Sequence, residues 1–297
     1  MATMREIKRR RGSIQSTQQI TKAMKLVSTV KLQRARTRAE NSKAYFEYMY
    51  RTITSILAKV GSVDHPYVKG SGSDRIGIVT VTSNRGLAGG YNANIVRLIA
   101  GSEFEKEKIR IYSVGKRGAE GLERKGYEIA GDYSHMIEEP KYEDARELSE
   151  RLLEDFAKGE IGEIYVAYTE FKNTVSHVPK LIKLLPIEPG SLQVDGRGDA
   201  GQAEEGNNLD KLTLMNFEPS EEEAIPLLIP KYVTSILYGA FVEAVASENG
   251  ARMQAMDSAT NNAEEIINDL ELKYNRARQG AITQELTEII AGAEAIG

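Results

Sequence analysis

The residues best suited to chemistry stand in one run, Ser83-Asn84-Arg85-Gly86-Leu87-Ala88-Gly89-Gly90. It follows a β-branched stretch, Ile76–Thr82, and opens into a helical pattern from Tyr91. A glycine-rich turn between strand and helix can cradle a phosphate on backbone N–H groups. Its spacing is not GxGxxG, however, and no GxxxxGK(S/T) occurs in the chain. No nucleophile–histidine arrangement accompanies it, and tight packing of strand on helix accounts for the same glycines. A nucleotide-dependent α/β enzyme with helical extensions therefore stands as the second reading. The three histidines, His65, His135 and His177, lie far apart, and cysteine is absent. A histidine metal site is not expected, and disulfides, thiolate zinc sites and cysteine nucleophiles are excluded. No cofactor is expected.

The charges are distributed unevenly. Met1 to Arg38 contains Arg5, Lys8, Arg9, Arg10, Arg11, Lys22, Lys25, Lys31, Arg34, Arg36 and Arg38 against the single acid Glu6, although the whole chain carries a net charge of -4. Such a block implies an acidic partner or nucleic acid. No aromatic residue is interleaved with these charges, which favours an acidic protein surface. A basic coiled-coil protein on nucleic acid is the third reading. No run approaches the roughly 20 apolar residues that span a bilayer, and the N-terminus lacks the apolar core of a signal peptide.

Three segments position these groups. Residues 1–60 hold one glycine, Gly12, and no proline, which predicts one long helix ending near Gly61. Residues 70–215 alternate strand and helix patterns. Strands are expected at Ile76–Thr82, Ile109–Val114 and Glu163–Tyr168, with a further one over Lys180–Pro186. Helices follow Tyr91, run through Glu120 and Glu123, and cover Tyr142–Phe156. This order argues a small α/β domain with a largely parallel sheet. Ser191–Asp210 reads as a mobile loop. Residues 219–297 are helical again, starting at a Ser220–Glu223 capping pair. Pro226 and Pro230 are expected to keep the first turns from forming one clean helix.

The last segment carries the clearest period. Met253, Met256, Thr260, Ala263, Ile267, Leu270, Tyr274, Ala277 and Ala281 alternate in steps of three and four, a heptad seam for a partner helix. In the first segment Thr17, Ile20, Met24, Val27 and Lys31 supply the matching stripe. The two helices leave one domain at its two ends, so they pair antiparallel, and the second overshoots by roughly 20 to 30 Å. The overshooting tip holds Ile282, Leu286, Ile289, Ile290 and Ile296 around most of its circumference, and such a helix needs burial. This chain offers none, so other subunits must supply a socket.

The tip, from Ile282 to Ala295, resembles the C-terminal signature of ATP synthase gamma subunits. Thr17–Lys25, Thr82–Asn92 and Arg252–Asp257 resemble further segments of that family, and the resemblance runs from end to end. It implies a central Rossmann-like α/β domain between N- and C-terminal helices that form an antiparallel coiled coil. It implies a rotor shaft with no catalytic site of its own, one copy per complex, that couples proton or sodium flow to ATP synthesis or hydrolysis. The implied partners are the alpha and beta subunits, the epsilon subunit and the membrane c-ring, with no nucleic acid. The implied location is peripheral, on the cytoplasmic face of the cell membrane. By the same resemblance Met24, Lys25, Arg278, Gln279, Thr283, Glu285 and Glu288 face the alpha/beta ring. The regulatory cysteine pair of chloroplast members is absent, so thiol control is excluded.

Overall fold

The structure, a computed structural model, describes residues 3–60, 66–174, 176–187 and 221–296; of 39–60, 68–69, 221–225 and 294–296 it describes the backbone alone. The loop Ser191–Asp210, the boundary at 215–219, His65 and Ser220 lie outside the described residues. The chain divides into two compact units. One comprises Met1–Lys31, Leu87–Gly89 and Asn249–Gly297, the other Leu32–Gly86 and Gly90–Glu248.

The second unit is built on a five-stranded sheet. In chain order its elements are α2 (Pro66–Lys69), β1 (Ile76–Val81), α3 (Tyr91–Ala100), β2 (Ile109–Val114), α4 (Lys116–Glu123), β3 (Glu128–Asp132), α5 (Tyr142–Ala157), β4 (Glu163–Phe171) and β5 (His177–Leu185). The strand order is β3-β2-β1-β4-β5. β1 pairs parallel with β2 and β4, β2 pairs parallel with β3, and only β4–β5 is antiparallel. β1 is buried at all six positions, as a central parallel strand covered on both faces must be. On one face Val79, Val81, Val114 and Val166 meet Leu148, Leu152 and Phe156 of α5 and Val233, Leu237 and Phe241 of the C-terminal helix. On the other, Ile76, Ile78, Ile109 and Ile111 meet Ile95 and Ile99 of α3 and Leu122 of α4. Burying these two faces supplies the main favourable term of the body, at about 25 cal/mol per Å² of apolar surface.

Helix α1 spans Met4–Val60 and helix α6 spans Glu221–Ile296. Against expectation, α6 runs through Pro226 and Pro230 without a break. Each proline deletes one helical N–H bond, but the first turns beyond them are anchored: Ile229 and Val233 are buried, and the Pro230 carbonyl accepts the Thr234 hydroxyl at 2.7 Å. This stretch begins the most apolar part of α6, with a mean hydropathy of 1.2 over an 18-residue window, enough by composition to cross a membrane, a length the sequence did not suggest. More than half of that window is buried inside the protein.

Candidate functional site

Each candidate surface lies within one of the two units. Within the helical unit, α1 and α6 run antiparallel, as three polar links show. Lys25 Nζ donates to Asp257 Oδ1 at 2.5 Å, and the Thr21 and Thr260 hydroxyls bond at 2.8 Å. Arg11 reaches Glu271 at 3.5 Å and lies 5.9 Å over the Tyr274 ring. As the α1 number falls the α6 number rises, and continuing that register puts the start of α1 near Ala277 and Ala281.

On α6, Met256, Ala263, Ile267 and Leu270 are buried, and Met253, Thr260, Tyr274, Ala277 and Ala281 are half-buried. Between Asn261 and Ala281 every other position is exposed. Helix α1 corrects the expectation. Ile20 and Val27, expected in the seam, are 60% and 57% exposed, and Thr17 and Lys31 are exposed too. The positions turned inward are Met4, Ile7, Arg11, Ile14, Gln18, Thr21, Lys25 and Ser28, again in steps of three and four. The stripe is displaced by one residue, about 100° around the helix. Apolar side chains usually mark the packed stripe. Here the inward face carries Met4, Ile7 and Ile14 towards the start of α1 and polar partners of α6 at Thr21 and Lys25. Met24 is half-buried beside that face.

Beyond Ala281 the pairing stops. Every residue from Ile282 to Ala293 is exposed, with Ile289 at 67% and Ile290 at 60%. The helix continues to Ile296, so the unpaired tip spans about 22 Å. Its hydrogen bonds are local: Thr283 donates to the Gln279 carbonyl, Thr287 to the Thr283 carbonyl, and Gln284 to Glu288. Arg278, Gln279, Thr283, Glu285 and Glu288 are all exposed on this end of α6. Lys25 is already engaged by Asp257, so a partner would meet it as part of an ion pair. Lys8, Arg9 and Arg10 are exposed.

The glycine-rich turn has a structural use. Leu87–Gly89 belongs to the helical unit, and a side chain at Gly89, where φ is +56°, would meet the Ala255 methyl at 3.9 Å. In the α/β unit the Ser83 amide and hydroxyl both bond Asn92 Oδ1, at 2.9 and 3.0 Å. The Ser83 donors at the head of the turn are thus tied up by a side chain of α3. In a doubly wound sheet, ligands enter at the carboxyl ends of the strands where the order reverses, here β1 and β4. That crevice is filled by α6. The Tyr91 hydroxyl donates to the Ala244 carbonyl at 3.1 Å, and the buried Ser247 hydroxyl donates to the Thr169 carbonyl at 3.0 Å.

The sheet holds two further titratable groups worth placing. Tyr112 donates to the buried Asp155 carboxylate at 2.6 Å, with Arg151 on its other side at 3.1 Å. Burial, then the carboxylate, pushes the Tyr112 phenol well above its ordinary value. His177, at the start of β5, lies 6.0 Å from the Phe171 ring, and burial holds its imidazole below the usual value. His135 is exposed, and among the described residues no three His, Cys, Asp or Glu gather to hold a metal.

A paired helical stem ending in a bare apolar helix, in a chain that fills its own ligand crevice, defines a structural subunit of a larger assembly. Comparison with known proteins gives that class its family. A family model described as ATP synthase matches residues 3–296. The chain is 59% identical to an ATP synthase gamma chain of Lachnoclostridium phytofermentans over 296 residues, covering all of both chains. It is 40% identical to a sodium-ion-specific ATP synthase gamma chain of Acetobacterium woodii, covering 99% of this chain and 98% of that one. In fold it matches a chain of the Euglena gracilis mitochondrial ATP synthase with a TM-score of 0.71 at 20% identity, over 99% of this chain and 94% of that one. The chain belongs to the ATP synthase gamma-chain family.

Proposed function

We propose that this chain is the central-stalk rotor of an F-type ATP synthase, present once per complex, with no catalytic site of its own. The paired helices act as a coiled-coil shaft inside a ring of alpha and beta subunits. Proton or sodium flow turns the shaft, whose asymmetry drives the beta-subunit sites through different states. The α/β unit and the lower stem meet the epsilon subunit and the membrane c-ring, so the protein sits peripherally on the cytoplasmic face of the cell membrane.

The observation that carries this reading is the tip. Residues 282–293 are exposed throughout yet carry Ile282, Leu286, Ile289 and Ile290, and exposed apolar surface of this kind marks a site that a partner covers. In the proposed complex Arg278, Gln279, Thr283, Glu285 and Glu288 make the polar contacts at the mouth of that socket. Met24 and the Lys25–Asp257 pair lie lower on the shaft, and the exposed Lys8, Arg9 and Arg10 face acidic surface on the ring.

Coexpression with alpha and beta subunits tests the reading. The full chain should copurify with both and support ATP hydrolysis, and a chain ending at Ala281 should couple poorly. Failure of the intact chain to copurify with either subunit sinks the proposal. Micromolar nucleotide binding by the chain alone would revive the enzyme reading.

A further inference from the structure

Helix α6 changes character within one turn. Up to Ala281 its seam residues are buried or half-buried, and from Ile282 every described side chain is exposed. Gly280 stands at that change. A side chain there would meet nothing within 4 Å, so no close approach calls for glycine. Inside a helix glycine is roughly fivefold less favourable than alanine. The same turn is weakened in a second way. The Thr283 hydroxyl donates to the Gln279 carbonyl at 2.9 Å, and the Thr287 hydroxyl to the Thr283 carbonyl at 2.8 Å. Each hydroxyl competes for a carbonyl of the helical ladder, which softens and bends a helix. Lower in the stem the same features are braced. Gly12 is equally open, but Arg11 and Ile14 on either side of it are turned inward. Thr260 donates to the Met256 carbonyl, but Met256 and Ala263 are buried in the seam. From Gly280 to Thr283 only Ala281 is even half-buried.

We propose that the turn 279–283 is a joint, at which the tip opens and closes as a separate segment while the stem below it stays paired. The stem supplies the nucleus from which the tip helix grows, and the first step of that growth passes through Gly280. The tip therefore takes its direction from whatever covers it, without requiring the stem to turn with it. The joint is a property of the isolated chain, and it holds or fails independently of the rotor assignment.

Residue-resolved protection of backbone amides from exchange, measured on the isolated full-length chain, tests the joint. The amides of Ala281, Ile282 and Thr283 have helical bonds that enclose Gly280. Their protection should be well below that of residues 256–277, falling in a step at 280 and not in a gradual slope. Gly280→Ala should raise protection at these three amides by roughly fivefold, the factor by which alanine favours the helix, and leave 256–277 unchanged. Thr283→Val removes the competing hydroxyl at nearly constant helix propensity and should raise it by roughly twofold. Moving the glycine one turn on, with Gly280→Ala and Gln284→Gly together, should carry the step to residues 285–287. Unchanged protection at 281–283 in Gly280→Ala overturns the proposal, because the end of the pairing alone would then set the boundary. An equal gain throughout 256–277 overturns it too, since Gly280 would then weaken the stem as a whole. So does a step that stays at 280 after the glycine is moved.

Discussion

Two leucines two residues apart on α6 put the geometry of the stem at risk. Leu270 is 5% exposed and Leu272 is 61% exposed, so truncating each to alanine removes the same atoms from opposite environments. The lost side chain of Leu270 is worth roughly 2 kcal/mol at about 0.8 kcal/mol per buried carbon. A cavity penalty would raise that figure, but a seam between only two helices can relax into the gap, which keeps the cost near the low end of the core leucine range. Leu272→Ala should stay within about 0.5 kcal/mol of the parent. Because the chain has two compact units, whole-chain melting would blend their stabilities, and the local measurement is amide hydrogen exchange over residues 256–277. Leu270→Ala should speed exchange there by about 30-fold, and Leu272→Ala should leave it nearly unchanged. The same contrast applies on α1 between Ile7, 8% exposed, and Ile20, 60% exposed. Equal effects within either pair would refute the assigned helix rotation.

Ending the chain at Ala281 should leave amide exchange over residues 256–277 of the isolated protein nearly unchanged, since every described side chain beyond it is exposed; a speeding of more than about fivefold, near 1 kcal/mol, would mean that the tip packs within the chain. Gly115→Ala should unfold or strongly destabilise the α/β unit, by about 3 kcal/mol or more, because its Cβ would lie 2.1 Å from the Thr82 carbonyl oxygen at φ +131°; near-parental urea stability would contradict that approach. For His177 the folded chain binds a proton less readily than the unfolded one, since burial lowers its value from 6.5. Its contribution to stability is therefore complete above about pH 6.5, falls as the pH drops below that, and levels off beneath the lowered folded value. His177→Phe should remove this increment, so that the melting difference between variant and parent changes between pH 8 and pH 5; a difference independent of pH would show that the imidazole titrates normally.

The sheet was legible wherever a strand is buried on both faces. Ile76–Val81 and Ile109–Val114 are continuous apolar runs, and the interior demands that pattern of central parallel strands. The edge strand β3 was not. Glu128-Ile-Ala-Gly-Asp132 has one branched apolar residue, and its strand character comes from pairing with β2 through an irregular register. The prolines of α6 misled for a related reason: local chemistry favours a break there, and burial of Ile229, Tyr232 and Val233 overrides it.

The stem shows most clearly what apolar patterning reports. On α6 residue type and spacing agree, since Ile267 and Leu270 are both periodic and buried. On α1 they part, because the residues that meet α6 are largely polar while Ile20, Leu26, Val27 and Val30 face outward at more than half exposure. Over residues 17–28 a seam search weighted by hydrophobicity selects the wrong stripe, by the single residue that separates Val27 from Ser28, whereas Met4, Ile7 and Ile14 mark the inward face correctly nearer the start of α1. In that stretch the inward positions carry polar pairings, Thr21 with Thr260 and Lys25 with Asp257. The tip obeys the same logic. Among the described residues nothing covers Ile289 and Ile290, and the end of the stem at Ala281 could be read from a heptad that stops while the hydrophobic residues continue.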